Sequence, residues 1–250
     1  MKSVREEKWT LPTDDGHLIY GVTNYAQESG NADKCIVIVH DLSGDRDLYR
    51  YKRAAQFFPA RGYDVVRFNL YSWEEKARRL FYCTLQTHAD DVRTVLKEKA
   101  SDYKKKFLIG HSYGGPSIMV AQPRQATALS LWDPSFDLPR IWDADFLRQK
   151  NGVTYFDWGV WLIVSQEMVS ESRLYDEKSC LALSESLNVP IQVISAGAKD
   201  QFFIHDKHSY HSAGHPLNER KVVDGADHCF NNGDTCDTLL DYTAEWFERF

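Results

Sequence analysis

The sequence predicts an α/β fold with a mostly parallel, twisted sheet and helices on both faces. Short runs of β-branched and aromatic residues alternate along the chain with amphipathic helical segments. The 250 residues suffice for one such domain with a well-buried core. Ligand sites in these sheets lie beyond the carboxyl ends of the strands, so functional residues are expected there.

Each predicted element rests on a local pattern. Residues 18–23 alternate as an edge strand does, whereas residues 35–39 are a continuous β-branched run, typical of a strand buried on both faces. Residues 49–60 show helical periodicity that ends at Arg61 and Gly62. The other predicted strands are 63–68, 107–109, 128–132, 191–195 and 221–223, and the other predicted helices are 87–99, one after residue 114, and 234–250.

Composition excludes several classes of partner and environment. A net charge of -6 leaves no basic stripe for nucleic acid. The first eight residues are charged and lack a leader's apolar core, and no run approaches the length of a membrane span. Five cysteines without a CxxC pair favour free thiols. We therefore expect a cytoplasmic protein with no nucleic-acid partner and no integral membrane segment.

One stretch interrupts the alternation of strands and helices. Residues 135–188, here called the insertion, separate two consecutive predicted strands and are rich in aromatic residues. We interpret them as a small helical cap over the strand ends, with a plain long crossover as the alternative. Residues 1–134 and 189–250 then form the core of a single overall domain. The predicted pocket residues are the insertion's aromatic side chains, Trp142, Phe146, Tyr155, Phe156, Trp158 and Trp161.

The most specific motif is Gly-His-Ser-Tyr-Gly at residues 110–114, between the predicted strand 107–109 and a helical segment. A Gly-x-Ser-x-Gly pattern on a strand-to-helix turn is typical of a nucleophile elbow, which holds its serine above the sheet edge in a strained conformation. The flanking glycines let neighbouring backbones approach closely. Ser112 is therefore the candidate nucleophile.

A serine nucleophile needs a base and an acid that orients the base. His228 follows the last predicted strand, in a loop that can return over the elbow, and is the candidate base. Asp200 and Asp133 each follow a strand, and geometry alone leaves both open as the acid. We predict Asp200, with Asp133 as the alternative. Backbone amides of Tyr113 and Leu42 are the predicted oxyanion hole.

Together these motifs resemble the α/β-hydrolase superfamily, in particular its compact serine esterases, including monoacylglycerol-lipase-like and serine-aminopeptidase-like members. The resemblance runs from about residue 13 to the last helix and includes the His40 loop, the elbow, Asp200 and the Gly-x-x-His of residues 225–228. It departs from the family at Asp41, where His-Gly is usual. Asp41 puts a carboxylate near the predicted oxyanion hole.

The resemblance implies a serine hydrolase that cleaves a small-molecule carboxylic ester through an acyl-enzyme. Peptidase or amidase activity, and thioesterase or acyltransferase activity, would use the same three side chains, and a non-catalytic ligand-binding module is a further alternative. His205, His208, His211 and His215 lack a Cys or Glu to complete a metal set. We therefore expect neither a metal nor a cofactor.

Overall fold

The computed structural model describes residues 5–27, 32–142, 147–157, 161–198 and 209–250. Their strands form an eight-stranded sheet and a separate three-stranded sheet. The strands are β1 (Arg5–Pro12), β2 (Leu18–Tyr25), β3 (Lys34–Val39), β4 (Tyr63–Phe68), β5 (Lys105–His111), β6 (Ala128–Trp132), β7 (Leu147–Lys150), β8 (Val153–Asp157), β9 (Trp161–Val164), β10 (Ile191–Gly197) and β11 (Glu219–Asp224).

The large sheet has the order β1-β2-β4-β3-β5-β6-β10-β11. Its first two strands pair antiparallel and β2 also pairs antiparallel with β4, whereas every pair from β4 to β11 is parallel. The predicted α/β class with a mostly parallel sheet is thus confirmed. Strand β1 was not predicted, because it is an exposed edge strand whose one buried side chain is Trp9.

Helices cover both faces of the large sheet. They are α1 (Tyr49–Phe57), α2 (Leu85–Lys99), α3 (Gly114–Ala121), α4 (Leu138–Trp142), α5 (Gln166–Ser172), α6 (Glu177–Leu187) and α7 (Thr235–Phe247). One apolar cluster joins α1 and α7 to one face, and a second joins α2, α3 and α6 to the other. Strand β3 contributes side chains to both clusters. Cys35 and Val37 belong to one cluster, and Ile36 and Ile38 belong to the other.

The insertion contains more than the predicted helices. Between α4 and α5, strands β7, β8 and β9 form an antiparallel sheet of their own. Short runs such as Val153–Asp157 are β-branched and aromatic, which favours strands over helices. Helix α6 packs on α3, where Gln122 Nε2 donates to the carbonyl of Leu183 at 3.0 Å. The division of the chain into core and cap stays a prediction.

All five cysteines are free, and four of them are buried. Within the described ranges, no helix combines the length and the apolar character needed to cross a bilayer. The cytoplasmic location stays a prediction.

Candidate active site

Ser112 lies on the tight turn between β5 and α3, with φ of +51°. This left-handed conformation is costly for a residue with a Cβ. The surrounding main chain holds it: the Ser112 amide donates to the Trp132 carbonyl at 3.0 Å, and its carbonyl accepts from the amides of Gly115 at 3.0 Å and Ser135 at 2.9 Å. A Cβ on Gly114 would overlap the carbonyls of Val39 and His40, so the elbow requires glycine there.

His228 lies in the loop between β11 and α7, and its ring touches both Ser112 and Asp133. The Nδ1–H donates to Asp133 Oδ2 at 2.6 Å, and Nε2 lies 2.9 Å from Ser112 Oγ. Because a carboxylate only accepts, the ring proton sits on Nδ1. Nε2 therefore presents a lone pair that can accept the hydroxyl proton of Ser112. The predicted nucleophile and base thus lie within hydrogen-bond distance.

Asp133 directly follows β6, has φ of +39° and is fully buried. Its amide donates to the Ile194 carbonyl at 2.7 Å, and its Oδ1 accepts from the Ala196 amide at 3.1 Å. Both contacts are with the neighbouring strand β10, which fixes the carboxylate beneath His228. Asp200, the predicted acid, lies outside the described residues, and Asp133, the predicted alternative, lies beside His228.

The two predicted oxyanion donors belong to different loops, one of which is the elbow itself. The amide of Tyr113 precedes the first residue of α3, and the amide of Leu42 lies in the loop after β3. Neither amide donates a hydrogen bond to another residue in the described part of the chain. Both remain available to an anion formed at Ser112.

The peptide that carries the Leu42 amide is held through its carbonyl, which belongs to Asp41. That carbonyl accepts from His40 Nδ1 at 2.7 Å and from the Gly44 amide at 3.3 Å. The next carbonyl, that of Leu42, accepts from Tyr71 Oη. In a trans peptide the N–H and C=O point in opposite directions. The two donors to the Asp41 carbonyl therefore fix the direction of the Leu42 N–H.

Asp41, the departure from the family pattern, has an ordinary backbone and a paired carboxylate. It is not among the described residues with positive φ. Its Oδ2 accepts from Arg50 Nη2 at 2.8 Å, and both side chains are almost completely buried. Burial by itself lowers the pKa of Arg50, but the neighbouring Tyr51 and Asp41 raise it above its usual range. The Asp41 charge is thus balanced by a guanidinium that remains protonated.

The predicted pocket residues fall into two groups. Trp142 and Phe156 are buried, with ring centroids 4.9 Å apart, and Trp142 meets the Tyr113 ring edge-on at 6.0 Å. The rings of Tyr155 and Trp161 have centroids 4.9 Å apart and are tilted by 36°, and Trp161 is 64% exposed. Phe146 and Trp158 lie outside the described residues. That these side chains line a pocket stays a prediction.

The insertion contacts the elbow directly through a polar pair. Tyr113 Oη and Ser172 Oγ, on α5, lie 2.5 Å apart in a buried setting. No group of three or more His, Cys, Asp or Glu side chains that could hold a metal ion occurs in the described ranges. His205 and His208 lie outside those ranges. The expectation of neither metal nor cofactor stays a prediction.

The family is established by a match to the Alpha/beta hydrolase family over residues 36–235. The chain belongs to this family. The match spans the loop after β3, the elbow, Asp133 and His228. Family membership supports the expectation of a hydrolase. Among curated protein sequences, none matches the chain.

Several solved structures share the fold. Est1E from Butyrivibrio proteoclasticus, determined with ferulic acid bound, has a TM-score of 0.76 at 16% identity, covering 95% of this chain and 98% of its own. The esterase domain of a Rhodothermus marinus protein has a TM-score of 0.72 at 16% identity, covering 98% and 99%. The Pyrococcus furiosus esterase Pf2001 has a TM-score of 0.73 at 15% identity, covering 99% and 93%. At these identities the likeness concerns the fold.

Proposed function

We propose that the protein is a serine esterase in which Ser112 is the nucleophile, His228 the base and Asp133 the acid that orients the base. The observation that carries the proposal is the chain of hydrogen bonds from Asp133 through His228 to Ser112, at 2.6 and 2.9 Å. It ends on a serine with φ of +51°, the conformation expected of a nucleophile elbow.

The reaction follows from this geometry. His228 Nε2 takes the hydroxyl proton as Ser112 Oγ attacks the ester carbonyl carbon, and Asp133 stabilises the imidazolium. The Tyr113 and Leu42 amides stabilise the oxyanion. The tetrahedral intermediate expels the alcohol, which takes the proton from His228. Water then gives a proton to His228, attacks the acyl group and releases the acid, and the proton returns to Ser112 Oγ.

Esters are the substrates that the similar structures favour. Two of the similar structures described above are esterases, and the third, Est1E, has ferulic acid bound. A peptidase acting on free amino termini would need an acidic anchor for the amine. Glu167 in the insertion is solvent-exposed, and Asp143 and Asp145 lie outside the described residues. Esters, including those of aromatic acids, are therefore the first substrates to test.

Covalent labelling tests the proposal. A fluorophosphonate probe should label the wild-type protein stoichiometrically and fail to label Ser112→Ala, because the probe reacts with an activated serine hydroxyl. Ser101→Ala is a matched control, since Ser101 is exposed and precedes the start of β5, whereas Ser112 follows the end of that strand. Labelling of Ser112→Ala at the wild-type level would exclude Ser112 as nucleophile.

A substrate panel tests the reaction class. Nitrophenyl esters, methyl ferulate, an acyl thioester and aminoacyl amides are compared by kcat/KM. We expect the oxygen esters to be cleaved fastest. If kcat/KM is higher for the amides than for the oxygen esters, the peptidase alternative is favoured. If it is highest for the thioester, thioesterase activity is favoured.

A further inference from the structure

His111, inside the elbow motif, contacts the main chain of the loop that carries His228. It is completely buried, and its Nε2 lies 2.8 Å from the His228 carbonyl oxygen. The centroids of the His111 and His228 rings are 5.0 Å apart. The nucleophile and the base are therefore linked twice, once through Ser112 Oγ and once through this buried hydrogen bond.

Arg50 determines which ring nitrogen of His111 carries the proton. Arg50 Nε lies 3.2 Å from His111 Nδ1, and a guanidinium can only donate. Nδ1 therefore accepts, so Nε2 carries the hydrogen and donates it to the His228 carbonyl. Burial lowers the pKa of His111 well below its usual range, and the Arg50 charge lowers it further. The ring stays neutral with one donor and one acceptor.

Arg50 is held in turn by Asp41, since its Nη2 donates to Asp41 Oδ2 at 2.8 Å. The one hydrogen of Tyr51 Oη faces two acceptors, Asp41 Oδ1 at 3.1 Å and His111 Nδ1 at 3.0 Å. The Asp41 amide donates to Tyr51 Oη, also at 3.1 Å. Arg50 Nη1 lies 3.4 Å from the Cys229 carbonyl. Consecutive carbonyls of the base loop thus face donors from His111 and Arg50.

We propose that His111 and Arg50 are positioning residues that clamp the His228–Cys229 main chain and so hold the His228 ring between Asp133 and Ser112. Tyr51 and Asp41 complete the clamp by fixing Arg50. The inference rests on the proposed function, in which His228 is the base. It also explains the departure at Asp41: the carboxylate serves the guanidinium that orders the base loop.

The first test compares two substitutions of His111 in the full-length protein. In His111→Phe the donor to the His228 carbonyl is lost, and we expect kcat to fall about 10- to 100-fold, the cost of a small misplacement of a reacting group. KM should stay within about threefold, because the clamp does not touch substrate. In His111→Gln the side-chain amide can still donate, so much of the lost kcat should return.

The second test uses two tyrosines that each lose one buried hydroxyl. In Tyr51→Phe the clamp loses the hydroxyl that contacts Asp41 Oδ1 and His111 Nδ1, and kcat should fall several-fold with KM unchanged. Tyr63→Phe is the matched control, since Tyr63 Oη is buried without a hydrogen-bond partner among the described residues. The control should keep the wild-type kcat. Thermal unfolding of each variant verifies that it is folded.

The outcomes separate the clamp from the proposed function. If the wild type is labelled at Ser112 but His111→Phe keeps full kcat, the proposed clamp is wrong, whereas the proposed esterase function is retained. Equal losses in His111→Gln and His111→Phe also contradict it, because the donor would then not matter. If His111→Phe does not fold, the Tyr51→Phe and Tyr63→Phe pair decides, with equal kcat overturning the clamp. An unlabelled wild type would instead overturn the proposed function.

Discussion

The strand-end site and the insertion differ in the contacts that position their functional candidates. At the strand ends, main-chain hydrogen bonds fix Ser112 and Asp133, and both have positive φ. In the insertion, the predicted pocket side chains contact one another through aromatic rings, as Trp142 does with Phe156. Directional bonds tolerate little displacement, whereas apolar packing accepts side chains of similar volume.

This difference assigns separate roles to the two regions. A reaction that depends on positions of reacting atoms needs the main-chain framework of the strand ends. An apolar pocket can change its preference through the size of its side chains. We therefore expect substitutions at the strand ends to reduce turnover, and substitutions in the insertion to change stability or acyl preference.

The largest effect is expected for the acid. Asp133→Asn should lower kcat by about 10⁴-fold, because the amide cannot hold His228 in the required tautomer or stabilise its charged form. Asp200→Asn is the comparison variant and should have a far smaller effect. Steady-state hydrolysis of a nitrophenyl ester measures both. If Asp200→Asn proves the more damaging, the acid is Asp200, and Asp133 has a structural role.

Next in size is the loss of a buried aromatic side chain from the insertion. Trp142→Ala should lower the free energy of unfolding by about 3–5 kcal/mol, as expected for a buried aromatic. Trp161→Ala should change it by no more than about 0.5 kcal/mol, because Trp161 is mostly exposed. Urea unfolding measures both. Equal stability losses would contradict the packing described here.

The same two variants sharpen the pocket prediction. If the exposed pair of Tyr155 and Trp161 contacts substrate, Trp161→Ala should alter the preference among acyl chain lengths without loss of stability. An unchanged preference in both variants would favour the alternative, in which the insertion is a crossover without a binding role.

The smallest expected effect is the contribution of a single buried histidine, His111, to the pH dependence of the free energy of unfolding. Burial lowers the pKa of His40, His88 and His111. Below about pH 6.5 the unfolded chain binds protons at these residues that the folded protein does not. Their stabilising contribution is therefore complete above pH 6.5 and falls as pH decreases, by up to about 1.4 kcal/mol per pH unit for each histidine.

His111→Phe isolates one of these contributions. The free energy of unfolding in urea, measured at several pH values between 5 and 7.5, should fall less steeply with acid in the variant than in the wild type. The slope of the free energy of unfolding against pH reports how many more protons the unfolded chain binds than the folded protein. We expect this number to be smaller in the variant by up to about one proton. Identical slopes would mean that folded His111 binds a proton as readily as the unfolded chain does, contrary to the neutral ring in the clamp.

Local sequence patterns were sufficient for several elements and insufficient for others. The buried strand β3 and the helix α2 were predicted close to their observed bounds, because continuous β-branched runs and amphipathic periodicity are local signals. The exposed strand β1 lacks such a signal. The sheet within the insertion forms from short segments whose pairing depends on contacts between strands.

The sequence by itself determined the α/β class, the elbow at Ser112 and the return loop that carries His228, because each depends on residues adjacent in the chain. The tertiary structure brought the Asp133 carboxylate beside His228, across 95 positions of the chain. Strands β6 and β10 are neighbours in the sheet, so sequence alone could not separate the aspartates that follow them. The partners of Asp41 and His111 were likewise invisible in sequence, since Arg50 meets His111 across 61 positions of the chain, and that contact exists only once the sheet and α1 have packed.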